Sequence, residues 1–179
     1  MITFAIATED ALSEMVAGTL LHQVGTRNIQ VRMRKEGFGY LRSRIADFNR
    51  IAEKVMPVLL ITDLYRKQCP PEMIVDWLPV PRSPRLLFRI AARETESWVL
   101  ADRAAFSRFI GVSVAAMPTA PDELPDQKAA LLKLIRKSSK QELKRGWCLI
   151  CSGRVMIPSK KKKVHQRVHH YTLSTTCFR

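Results

Sequence analysis

The sequence predicts an α/β domain over residues 1–146, with a mainly parallel sheet of about four strands between layers of helices, a three-layer, Rossmann-like arrangement. Two observations predict it. Short apolar runs alternate with longer stretches of helical periodicity along most of the chain. One of those runs, Val58 to Thr62 (VLLIT), is continuously apolar, as strands covered on both faces are.

Each element has its own local reason. Residues 2–7 read as a first strand, and 11–24 as a helix with Leu12, Met15, Val16, Thr19 and Leu20 on one side. Residues 28–33 (NIQVRM) alternate like a strand, and a loop with Gly37 and Gly39 follows. Leu41, Ile45, Phe48, Ala52 and Val55 then recur at helical spacing, giving an amphipathic helix over 40–55 that Pro57 stops. After the apolar strand, Pro70 and Pro71 open a short helix to about Leu78. Pro79, Pro81 and Pro84 form a rigid connection to a fourth strand, 86–91. Trp98, Ala101, Ala105 and Phe109 mark one further helix, and 127–144 a last one around Leu131, Leu134 and Ile135.

With 179 residues, the chain is long enough for one domain with a hydrophobic core and short for two. No apolar run approaches the ~20 residues a membrane-crossing helix needs, so no membrane partner is expected. The apolar start MITFAIA runs straight into Glu9 and Asp10 without a basic lead, unlike a signal peptide. A cytoplasmic setting with four reduced cysteines is therefore expected.

The formal net charge is +14, and it is unevenly placed. Residues 1–146 hold 23 Lys and Arg against all 16 acids, 23 − 16 = +7, and residues 147–179 hold the other seven cations with no acid. Such a balance favours polyanionic partners, most simply nucleic acid. A serine or cysteine hydrolase is not suggested, because the histidines are His22 and three tail residues. A Gly-Lys-Ser/Thr phosphate loop is also missing from the sequence.

In a parallel sheet, ligands bind beyond the carboxyl ends of the strands. Three of the expected strands end in acids: Glu9 and Asp10, then Asp63, then Glu94 and Glu96. Carboxylates gathered there suit a hard cation such as Mg²⁺ or Mn²⁺, which could polarise a phosphodiester and activate water. The same residues also have a plain structural use, since acids in a first helical turn complement the helix dipole. Lys35, Gly37, Gly39 and Arg42 are candidates for holding phosphate before the second helix, with an ordinary turn and a solvated basic face as the alternative.

The apolar strand ending in Glu9, the strand ending in Asp63, and the stretch RETESWVLAD (Arg93 to Asp102) together resemble the TOPRIM fold. Within it, residues 1 to about 145 resemble small bacterial proteins related to the OLD-type (overcoming lysogenisation defect) nuclease domains. The resemblance implies a TOPRIM-like, metal-dependent nuclease of a phage-defence or DNA-processing system, working beside an ATPase partner. It implies catalytic and metal-binding roles for Glu9, Asp63 and one later acid, Glu96 or Glu94, with Glu96 preferred for its Glu96-Ser97-Trp98 setting. Asp102 would be a surface or supporting residue. One departure stands out. The second aspartate of the family's Asp-x-Asp pair falls at Tyr65, and a phenol is a poor ligand for Mg²⁺ at neutral pH. Either the site uses one aspartate, or Asp10 compensates, or activity is lost. A non-catalytic nucleic-acid-binding or interaction protein is the alternative.

Residues 147–179 change character. Cys148, Cys151, His165 and His169 have the spacing of a Cys2His2 zinc site. Lys160 to Lys163, however, occupy the helix where such a site needs buried apolar residues. A flexible basic tail without zinc is the expectation.

Overall fold

The computed structural model describes residues 2–25, 28–34, 37–64 and 69–144. The chain runs β1 (Phe4–Thr8), α1 (Ala11–Gln23), β2 (Ile29–Arg34), α2 (Phe38–Lys54), β3 (Val58–Asp63), α3 (Pro70–Trp77), β4 (Leu86–Ala91), α4 (Thr95–Ala101), α5 (Arg103–Ile110) and α6 (Gln127–Lys137). The four strands form one sheet in the order β2-β1-β3-β4, and every neighbouring pair is parallel. The α/β class and the all-parallel sheet agree with the sequence reading.

Strand periodicity sorts the core into two layers. Ala5, Ala7, Val58 and Leu60 point to the side where Leu41, Ile45 and Phe48 of α2 and Met73 and Trp77 of α3 pack. Ile6, Leu59 and Ile61 point to the other side, against Ala17 and Leu21 of α1. β3 is buried along Val58–Thr62, as its unbroken apolar run requires. A third cluster, with Leu100, Phe106, Ile110, Leu131, Leu134 and Ile135, joins α4, α5 and α6 beside α1. Among the described residues no helix is long and apolar enough to cross a membrane.

Several expectations are corrected. On α1, Val16 and Leu20 pack on the sheet side as expected, together with the unforeseen Ala17 and Leu21, while Thr19 is exposed. β2 is an edge strand, three of its six residues exposed and the other three partly buried, and its Arg32 and Arg34 pair with Glu14 at 3.2 and 3.4 Å. The single helix expected around Trp98 to Phe109 is two helices. Asp102 leaves helical geometry (ψ 79°) and its carboxylate accepts from the Ala105 N–H at 2.8 Å, starting α5 afresh. The helix expected over 127–144 is interrupted: α6 ends at Lys137, where Ser138 turns extended and its hydroxyl donates to the Ile110 carbonyl, and residues 141–144 are helical again. Three of the four cysteines, the four residues of the zinc-like spacing and the whole of 147–179 lie outside the described residues.

Gly111 closes α5 in the left-handed region (φ 69°), where glycine carries no penalty. A Cβ there would also meet Ser139 Oγ at 2.7 Å. Gly111→Ala is therefore expected to destabilise the domain by about 1–3 kcal/mol, the sum of αL strain and a displaced neighbour. A urea melt with an unchanged midpoint would contradict that account.

Candidate functional site

All four strands point the same way, so their carboxyl ends share one edge of the sheet. The chain leaves β1 for the α1 face and leaves β3 for the α3 face. The adjacent β1 and β3 ends thus form the crevice where the winding direction changes, the place where ligands bind in such sheets. Glu9 follows β1 and Asp63 closes β3, so the two lie together at that crevice.

Glu9 is 5% exposed. Its Oε1 accepts from the Thr62 hydroxyl and from the Asp63 N–H, the latter at 3.1 Å. The carboxylate thereby ties the β1 end to the β3 end. Asp63 reaches the other way. Its Oδ1 accepts from the Thr95 N–H at 2.8 Å and the Thr95 hydroxyl at 2.7 Å, so Asp63 satisfies a backbone donor at the start of α4. Its Oδ2 makes no hydrogen bond among the described residues.

The electrostatics of these groups are unusual for acids at a helix start. Burial pushes the Asp63 carboxyl up from 3.8 to about 7, with the neighbouring charges of Glu9 and Glu96 adding to the rise and Thr95 opposing it. Glu96, 4% exposed, is likewise raised to about 7, by burial first and then by Asp10 and Glu94. Its own backbone N–H and the Lys128 ammonium act in the opposite direction. Glu94 is also raised, by burial and by Asp126, against the N–H and ammonium of Lys128. Asp10 serves α1 as its N-cap, bonded to the Ser13 N–H at 2.9 Å and the Ser13 hydroxyl at 2.7 Å.

The sequence-derived candidates are therefore partly gathered. Asp63 feels both Glu9 and Glu96, and Glu96 feels Glu94. As donors they suit a hard cation, being carboxylate oxygens of like charge in a buried edge. Among the described residues no three His, Cys, Asp or Glu side chains come together as one ligand group.

The phosphate candidates are less convergent. Gly37 is the N-cap of α2 with φ 89°, and both it and Gly39 are exposed. The Arg42 guanidinium pairs with Asp76 of α3 at 3.2 Å and is thus already partnered. Lys35 and Tyr65 lie outside the described residues. Sequence reasoning missed Thr62 and Thr95, which fix the two central carboxylates, and Lys128, which brings the start of α6 to Glu94 and Glu96. No protein-family model, curated protein or solved structure matches this chain.

Proposed function

We propose that this chain is a metal-dependent nuclease, hydrolysing phosphodiesters of nucleic acid at the crevice between the ends of β1 and β3. The observation that carries the reading is Asp63, a carboxyl raised to about 7 beside Glu9 and Glu96, with one oxygen anchored by Thr95. Perturbed acids of this kind concentrate at functional sites. Asp63 and Glu9, with Glu96 beside them, are the residues that would hold Mg²⁺ or Mn²⁺. Such an ion, when bound, supplies charge neutralisation at phosphate and a more acidic water. Thr95 orients the Asp63 carboxylate, and Thr62 and the Asp63 N–H orient that of Glu9. Glu96, its carboxyl raised to about 7, is the candidate to exchange a proton with substrate. A bacterial defence or DNA-processing role, a cytoplasmic setting and an ATPase partner belong to the same reading and rest on the TOPRIM-like resemblance.

A second reading has its own observation. Glu9 and Asp63 each spend an oxygen on structural hydrogen bonds, Glu9 linking two strands and Asp63 starting α4. Carboxylates used this way need no metal, and the basic chain would then bind nucleic acid without cutting it.

Incubation of plasmid and single-stranded DNA and RNA with Mg²⁺, Mn²⁺ or chelator separates the two. The nuclease reading expects metal-dependent cleavage, falling about a hundredfold or more in Asp63→Asn and Glu96→Gln. Absence of cleavage under every metal condition, or cleavage equally fast in both variants, removes it in favour of the binding protein.

A further inference from the structure

The exposed half of α6 carries Lys128, Lys133, Arg136 and Lys137, and the helix Gln127–Lys137 contains no acid. Gln127, Leu131, Leu134 and Ile135 are the residues it buries. At 3.6 residues per turn the buried side chains span about 100° of the helix and the cations about 180°. Beyond the helix follow Lys140 and Lys144 against Glu142, so 128–144 carry 6 − 1 = +5.

Charge pairing distinguishes this face from the arginines of β2 and α2. Arg32, Arg34, Arg42, Arg44 and Arg50 are all within 3.4 Å of a carboxylate on α1, α2 or α3. Lys133, Arg136 and Lys137 form no ion pair among the described residues. α6 thus presents three neighbouring cations that no carboxylate among the described residues pairs.

From these two observations we infer that the exposed face of α6 is a docking surface for duplex DNA, seated in the major groove. A wide arc of cations fits phosphates on both rims of a groove better than a single strand running along one line. The B-form major groove, about 12 Å wide, admits a helix of about 10–12 Å diameter. The deep, narrow major groove of A-form RNA does not admit one. Single strands are held largely by stacking on aromatic rings, and α6 carries none. Phe109, on α5, has the Lys140 ammonium over its ring at 5.7 Å. Because Lys128 lies within electrostatic reach of Glu94 and Glu96, the surface begins beside the acidic edge and leads away from it. The inference deepens the nuclease proposal by naming its substrate surface, and as a binding surface it stands without cleavage.

The test is fluorescence anisotropy of the full chain with a labelled 25-base-pair DNA duplex of about that length, in chelator and across a salt series. Combined replacement Lys133→Gln, Arg136→Gln and Lys137→Gln should weaken binding by roughly ten- to a hundredfold near 0.1 M salt and lower the salt slope by about 3. All three side chains are exposed, so an unchanged thermal melt should accompany the loss. Arg44→Gln with Arg50→Gln, on α2, should change neither quantity. An equal loss in the α2 variant, no loss in the α6 variant, or equal affinity for an RNA duplex or a single strand overturns the assignment. Duplex binding that depends on α6 with no cleavage under any metal ends the nuclease proposal and leaves this surface standing. Metal-dependent cleavage that is indifferent to the α6 variant does the reverse.

Discussion

Replacing Glu9 by alanine is expected to cost the domain roughly 2–6 kcal/mol, because it strips the acceptor from two inward-facing donors that are each worth about 1–3 kcal/mol when orphaned. Those donors are the Thr62 hydroxyl, on a residue 1% exposed, and the Asp63 N–H. The loss falls between the two central strands. Glu9→Gln separates the hydrogen bonds from the charge. Its amide oxygen can take the same two donors while the negative charge beside Asp63 disappears, so stability should stay within about 1 kcal/mol of the parent. Asp63 should then titrate lower, since the Glu9 charge is one of the causes that raise it. Chemical denaturation of the three proteins at pH 7.5, with carbon-13 detected titration of Asp63, reads both effects. Equal destabilisation by Gln and Ala would mean that charge, not hydrogen bonding, joins these strands.

The parts of this architecture legible in the sequence are those set by period and punctuation. β3 is visible as five apolar residues ending in Asp63, and α3 as Pro-Pro followed by a helical stretch, because burial on both faces and proline at a first turn leave local marks. The break at Asp102 left almost none. Trp98, Ala101, Ala105 and Phe109 keep a helical spacing across it, and only the capping competence of aspartate hints that the chain stops and restarts. The end of α6 is tertiary in origin, since Ser138 is held by Ile110, 28 residues earlier.

The site shows the same division. Acids at strand ends can be read from a strand pattern, so Glu9 and Asp63 are identifiable as strand-end acids from the sequence alone. Their partners were not. Thr62 sits beside Asp63 in sequence yet serves Glu9 across 53 positions, and Thr95 serves Asp63 across 32. Which donors meet which carboxylate follows from the β2-β1-β3-β4 order, and strand order leaves no mark in hydrophobic period. Lys128 was hidden for a related reason. Its place beside Glu94 depends on α6 packing back against α4 through Leu100, Leu131 and Leu134.

Asp63→Asn is expected to make the protein more stable at pH 8 and to leave it unchanged near pH 4. The folded carboxyl titrates near 7 against an ordinary 3.8, so between those values the unfolded chain has already lost a proton that the folded chain retains. Stability must then fall as pH rises through that window, from full benefit below 3.8 to none above about 7. The asparagine Oδ1 can keep both Thr95 bonds, so what the substitution removes is the buried charge. Discounted for partial solvent access and for sharing of protons with Glu96, the gain at pH 8 is about 1–3 kcal/mol, or about 3–9 °C in Tm. Glu96→Gln should move in the same direction, since its carboxyl is raised to about 7 as well. The cation dependence of the same melts bears on function. If Asp63 holds a divalent ion, millimolar Mn²⁺ favours its ionised form and raises the Tm of the parent at pH 8, while Asp63→Asn gains nothing. A parent as indifferent to Mn²⁺ as the variant would leave Asp63 as the residue that starts α4, and the metal reading would end there.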